Sequence, residues 1–133
     1  VSRSGYSDEG DNLGLWRHAV ERALRGKRGQ AFLREMAAAL DAMPTKELVA
    51  EEVVRDSEHV CALGSVALAR KLDVSNLDIY DGEDMGQAFG ISRAMAQEIA
   101  YMNDEWVRPG RETNAERWTR MRKWVDENTR AET

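Results

Sequence analysis

The chain has 133 residues, a single cysteine and a formal net charge of −5 at neutral pH. That length suits one domain able to bury its own core. One cysteine excludes an intrachain disulfide, so a reducing cytoplasm is the expected compartment. No apolar run reaches the ~18 residues that a membrane span needs. The opening Val1–Tyr6 is polar and lacks the apolar stretch of a secretory signal.

The charge is unevenly spread. Residues 17–34 hold Arg17, Arg22, Arg25, Lys27, Arg28 and Arg34 against Glu21 alone, whereas residues 35–105 hold fifteen acidic and five basic side chains. Residues 106–133 are again slightly basic, with seven basic and five acidic side chains. An acidic middle between two basic segments either steers a charged partner or is neutralised internally, with the lobes attracting one another.

Residues 1–10 are polar and glycine-containing and read as a flexible N-terminal arm, followed by one helical domain over 11–133. Asp11 or Asn12 is placed to cap a first helix. Its stripe is Leu15, Trp16, Ala19, Val20, Ala23 and Leu24. The glycines of Gly26-Lys27-Arg28-Gly29 break it. A second helix, with Phe32, Leu33, Met36, Ala37, Leu40 and Met43 on one face, ends before Pro44, which disfavours helical geometry at the preceding residue.

The stretch 48–63 is ambiguous. Leu48-Val49, Val53-Val54 and Val60-Cys61 are β-prone, and Arg55-Asp56-Ser57-Glu58 between them is polar, so a short hairpin is predicted. The competing reading is a helix through 45–55. Gly64-Ser65 opens a short helix ending near Leu72, and Asp73–Asp81 reads as a loop. A helix over Glu83–Phe89 breaks at Gly90, and Ile91-Ser92 starts another carrying Ala94, Met95, Ile99 and Met102. Pro109-Gly110 marks a boundary. Thr113 and Glu116 form a capping box ahead of a last helix with Ala115, Trp118, Met121 and Val125 on one side and Trp124 at its edge. The fold expected is mainly α, a compact bundle of five or six helices with one small β-hairpin near 48–63.

Five features bear on chemistry. Residues 84–102 have the layout of a helix-turn-helix, with Gly90 for the turn and Ser92 as cap. Its second helix offers Ser92, Arg93 and Gln97 to a duplex, but the acidic surroundings repel phosphates, so direct DNA binding ranks second. Arg25, Lys27 and Arg28 lie in a glycine-bearing basic run without Walker spacing. This run suits nucleic acid or an acidic protein surface. His59-Val60-Cys61 places two residues too far apart along a strand for a direct hydrogen bond, and Cys61 reads as a buried apolar residue. Asp78, Asp81, Glu83 and Asp84 miss the register of a calcium loop and favour a helix N-terminus. Trp16 and Trp118 read as core, while Trp106 and Trp124, close to arginines, read equally as core or as partner contacts. No catalytic set, metal site or cofactor is expected.

Three segments together, residues 25–35, 60–66 and 98–105 (Arg25 to Glu35, Val60 to Val66, Glu98 to Glu105), resemble small proteins encoded by bacteriophages and prophages of proteobacteria. The resemblance spans nearly the whole chain. It implies a phage or prophage setting in the cytoplasm of a bacterial host and assigns no functional residue. In such a setting, small acidic proteins without enzyme motifs often inhibit host systems, including CRISPR–Cas complexes and restriction enzymes. The expected function is therefore non-enzymatic. The chain would bind a host protein or protein–nucleic acid complex and inhibit or redirect it. The alternative is a helix-turn-helix-like nucleic-acid-binding regulator.

Overall fold

The structure, a computed structural model, describes residues 2–6 and 13–131, and the backbone alone for 13–15. Among these residues six helices and one hairpin follow in the order α1 (Leu13–Arg25), α2 (Lys27–Ala42), β1 (Val54–Asp56), β2 (His59–Val60), α3 (Ala62–Arg70), α4 (Gly82–Phe89), α5 (Arg93–Asp104) and α6 (Asn114–Asn128). The bundle with a small antiparallel hairpin is the architecture expected from the sequence. No helix among the described residues is long and apolar enough to cross a membrane.

Two helices organise the packing. α2 meets α1, α3 and α6, and α5 meets α1, α3, α4 and α6. The stripe of α2 buries Phe32, Leu33, Met36 and Leu40. α5 is enclosed almost all round, with every residue from Ala94 to Ala100 buried. Leu63 and Val66 of α3, Met95 and Ile99 of α5, and Met121 and Val125 of α6 join the α2 stripe in one core.

Helix ends follow local chemistry. Gly90 closes α4 in the left-handed conformation at φ 74°, where a side chain would be strained, and Ser92 Oγ then accepts from Met95 N at 3.1 Å to cap α5. Thr113 Oγ1 accepts from Glu116 N at 3.1 Å and Glu116 Oε1 accepts from Thr113 N at 2.9 Å, completing the capping box. Lys46 and Trp118 donate to the last carbonyls of α2 at Asp41 and Leu40, so the end that Pro44 imposes is capped from outside.

Several expectations change. Leu48 and Val49 are buried but lie in neither a strand nor a helix over 45–55; their amides donate to Asn114 O and Val60 O instead. Arg55 and Asp56 belong to β1, leaving Ser57-Glu58 as the turn. α3 starts at Ala62 rather than at Gly64-Ser65, because Cys61 caps it: Sγ accepts from Gly64 N at 3.4 Å. In α6, Ala115 is exposed and Arg117 is buried in its place, its guanidinium donating to Leu48 O at 2.9 Å. The flexible arm expected over 1–10 differs at residues 2–6, where Arg3 is 4% exposed and Ser4 0%. Polar side chains there find buried polar partners, which local sequence does not reveal. Residue 1, residues 7–10 and the proposed caps Asp11 and Asn12 lie outside the described residues.

Two substitutions test this packing. A Cβ at Gly29 would stand 1.8 Å from Ala23 O, where α1 and α2 touch. Gly29→Ala should therefore destabilise by about 1–3 kcal/mol in urea unfolding, although helix propensity alone would stabilise by ~1 kcal/mol. Thr113→Ala should cost about 1 kcal/mol, and an unchanged unfolding curve would place the start of α6 elsewhere.

Candidate functional site

Three places hold the polar and aromatic residues that local structure alone does not explain: a buried junction under residues 2–6, an acidic loop before α4, and a basic corner between α1 and α2.

The junction is centred on Asp104 at the end of α5. Arg3 grips its carboxylate with two hydrogen bonds, Nε to Oδ2 at 2.7 Å and Nη2 to Oδ1 at 2.6 Å, and both side chains are almost fully buried. Oδ1 also accepts from Glu51 N at 3.0 Å and from Asn103 Nδ2 at 2.8 Å. Asn103, buried beside it, donates to Val49 O and accepts from Ala62 N. Residues 2–6, the irregular stretch 49–51, the start of α3 and the end of α5 thus share one polar cluster. Glu51 takes a positive φ of 66° there, a strained geometry for a non-glycine residue. Burial works to push the Asp104 carboxyl up, but the hydrogen bonds and charge of Arg3, with Glu51 N–H and Asn103, hold it below the ordinary carboxylate range.

Two further contacts tie residues 2–6 to the same helix. Ser4 Oγ donates to Glu105 Oε2 at 2.5 Å, and the Tyr6 hydroxyl donates to Glu98 Oε1 at 2.9 Å. Burial and the Glu98 charge push the Tyr6 hydroxyl well above its ordinary pKa, so it stays a donor. Glu98 is 4% exposed and is paired a second time by Arg17 at 3.2 Å. The Tyr6 ring lies between Trp16, edge-on at 5.3 Å, and Tyr101 at 5.0 Å, and Trp106 continues the aromatic row at 6.3 Å from Tyr101. Trp106 is 60% exposed and is the outer end of this row.

The acidic loop is ordered by its own carboxylates. Asp78 Oδ1 accepts from Tyr80 N, Asp81 Oδ1 accepts from Glu83 N and Asp84 N, and Asp84 Oδ2 accepts from Asp78 N. Asp78, Asp81 and Glu83 are exposed, Asp84 is half-buried, and Tyr80 projects among them at 52% exposure. No lysine or arginine occurs between Asp73 and Ser92. Among the described residues no group of three or more His, Cys, Asp or Glu side chains is placed to hold a metal.

The third place gathers Arg22, Arg25, Lys27 and Arg28, all exposed around Gly26, and among the described residues none of the four forms an ion pair. The structure brings Asp78, Asp81, Glu83 and Asp84 together, and separately Arg25, Lys27 and Arg28. It does not join Trp106 to Trp124, which is half-buried and packed on the core. In the 84–102 corner, Gln97 and Glu98 are buried inside the bundle, which leaves Arg93 as the exposed cation of α5. His59 pairs with Asp56 at 2.8 Å, while Cys61 is 1% exposed beneath Arg3. Sequence reading missed Arg3, Ser4, Tyr6, Glu98, Asp104, Glu105 and Tyr80. The neighbouring acids Asp104-Glu105 at a helix C-terminus, where the dipole disfavours negative charge, were the one available signal.

The junction sets an acid limit. Asp104 has a depressed folded pKa, so its stabilisation is complete above the unfolded value of about 3.9 and is lost as pH falls through the folded value. Wild-type stability should fall steeply below about pH 4, more so than that of Asp104→Asn. At pH 7 the same variant should lose about 3–5 kcal/mol, because Arg3 stays buried without its counter-charge. Parallel acid-titration profiles of the two proteins would argue against this assignment.

No protein-family model matches the chain, and neither the curated proteins nor the solved structures contain a match.

Proposed function

We propose that the chain is a non-enzymatic binding protein that docks on a basic protein surface through the loop over residues 73–84. In the phage or prophage setting that the sequence resemblance implies, the target is a host nucleic-acid-handling or defence complex, which the contact inhibits or redirects. The observation that carries the reading is Tyr80, half exposed among Asp78, Asp81 and Glu83. Tyrosine supplies large contact area at low entropic cost, and it is a residue type that dominates binding energy at interfaces. The loop is tied by its own side-chain-to-backbone bonds, so docking need not order it. Surrounding carboxylates, with no lysine or arginine between Asp73 and Ser92, suit the basic grooves of nucleic-acid-handling complexes, and complementary charge raises on-rate and specificity. Trp106, at the outer end of the aromatic row, is a second exposed anchor.

A second reading is contact with nucleic acid. The exposed cations Arg22, Arg25, Lys27 and Arg28 favour it at the α1–α2 corner, and the burial of Gln97 and Glu98 disfavours it at the α4–α5 corner.

Two exposed substitutions separate these readings. Host complexes captured by the wild-type chain should bind Tyr80→Ala more weakly by about 2 kcal/mol or more. Glu83→Lys should slow association, most at low salt. Undiminished binding by both variants would move the interface off this loop. In the same assays a labelled duplex should show no binding that Arg93→Ala weakens. Salt-sensitive duplex binding lost in Arg25→Ala and Lys27→Ala would put the second reading first.

A further inference from the structure

Residues 2–6 are held by side chains rather than by secondary structure, and the carboxylates that hold them come from one helix. Asp104, Glu105 and Glu98, all on α5 or its C-cap, receive Arg3, Ser4 and Tyr6 in turn. The receiving surface is built independently of the strap. Asp104 is oriented by Glu51 N–H and by Asn103, and Asn103 is itself fixed between Val49 O and Ala62 N. Asp104 and Glu105 meet one cation there, the Arg3 of the strap, while Glu98 is already paired with Arg17. Without Arg3, the cleft would be a preformed anionic slot walled by the rings of Trp16 and Tyr101.

The strap also fills this slot imperfectly. Gln97 Oε1, on a side chain 6% exposed, has no hydrogen-bond partner among the described residues, and its amide lies close to Gly5. A small cavity opens between Arg3, Leu63, Met85, Gln97 and Ala100. An occupant that leaves buried polar atoms unpaired can be displaced by one that satisfies them.

We propose that the cleft is a binding site for an arginine-bearing peptide segment of a protein partner, bent as residues 2–6 are at Gly5, and that residues 2–6 are its built-in occupant, displaced when that segment binds. The strap itself specifies the ligand. A planar guanidinium fits the two oxygens of Asp104 at once, which a lysine ammonium cannot do. A small hydroxylated residue follows for Glu105, and an aromatic residue three positions after the arginine slots between Trp16 and Tyr101. This site adjoins the Tyr80 loop, since Ile79 and Gly82 also line its cavity, but it uses none of Asp78, Tyr80, Asp81 and Glu83, so Arg3→Ala and Tyr80→Ala test the two proposals separately.

The single cysteine reports on the strap. Cys61 is 1% exposed, with Arg3 Nη1 3.5 Å from its sulfur, so lifting the strap uncovers the thiol. In the 133-residue chain, Cys61 alkylation should be faster than global unfolding permits and little changed by low urea, the mark of local opening. Arg3→Ala should speed alkylation by about tenfold or more. A six-residue peptide copying residues 1–6, added in excess, should restore protection, and its analogue with lysine in place of the arginine should not. If Arg3→Ala does not fold, Tyr6→Ala, which spares the buried ion pair, takes its place in the same assay. Alkylation that only tracks global unfolding would overturn the proposal, as would a copied peptide that fails to protect or a lysine analogue that protects equally.

Discussion

The buried pair of Arg3 and Asp104 is the constraint on which much of the rest is arranged. An ion pair removed from water is tolerated only when hydrogen bonds complete it, and Asp104 obtains them from segments far apart in sequence. Glu51 adopts a positive φ while supplying one of them. Asn103 supplies another and at the same time satisfies Val49 O and Ala62 N. Arg120 of α6 donates to the carbonyls of Met102 and Asn103, which closes the end of α5 from the opposite side. One carboxylate, with Asn103 beside it, therefore ties together residues 2–6, the irregular stretch before the hairpin, the start of α3 and the end of α5.

The charge asymmetry divides into two parts. Some of it is spent inside the fold. Arg17 reaches Glu98, Arg122 reaches Asp41, Arg70 reaches Glu35, and the buried Glu112 receives Arg120 and Arg117. Arg17–Glu98 and Arg122–Asp41 join a basic segment to the acidic middle; Glu98 is buried, whereas Arg122–Asp41 is a surface pair of the kind that contributes little. The remainder is the unneutralised Tyr80 loop on one side and the α1–α2 corner on another.

The α4–α5 corner shows how a motif and its use come apart. Gly90 and Ser92 build the turn as the residues dictate. Whether the second helix then enters a groove depends on which of its faces is uncovered. α5 is covered by α1, α3, α4 and α6, so its polar residues Gln97, Glu98 and Asn103 serve the interior.

The sequence by itself determined the helices, because each rests on short-range physics. Apolar spacing of three and four residues set the stripes of α1 and α2. Pro44, Gly90, Ser92 and the Thr113–Glu116 pair set their ends, and all act within four residues. The hairpin was legible as β-prone pairs around a polar turn, but its limits depended on Cys61 becoming a helix cap and on Val49 borrowing Val60 O, which needs α3 in place. The acidic loop was legible as a charge cluster, while the exposure of Tyr80 within it was not. The junction under residues 2–6 belongs to the tertiary structure alone. Arg3 and Asp104 stand 101 residues apart, and nothing local marks an arginine in a polar, glycine-containing stretch as buried. Only when α5 is enclosed does its terminal carboxylate lose water, and only then does a distant guanidinium become worth more than solvent.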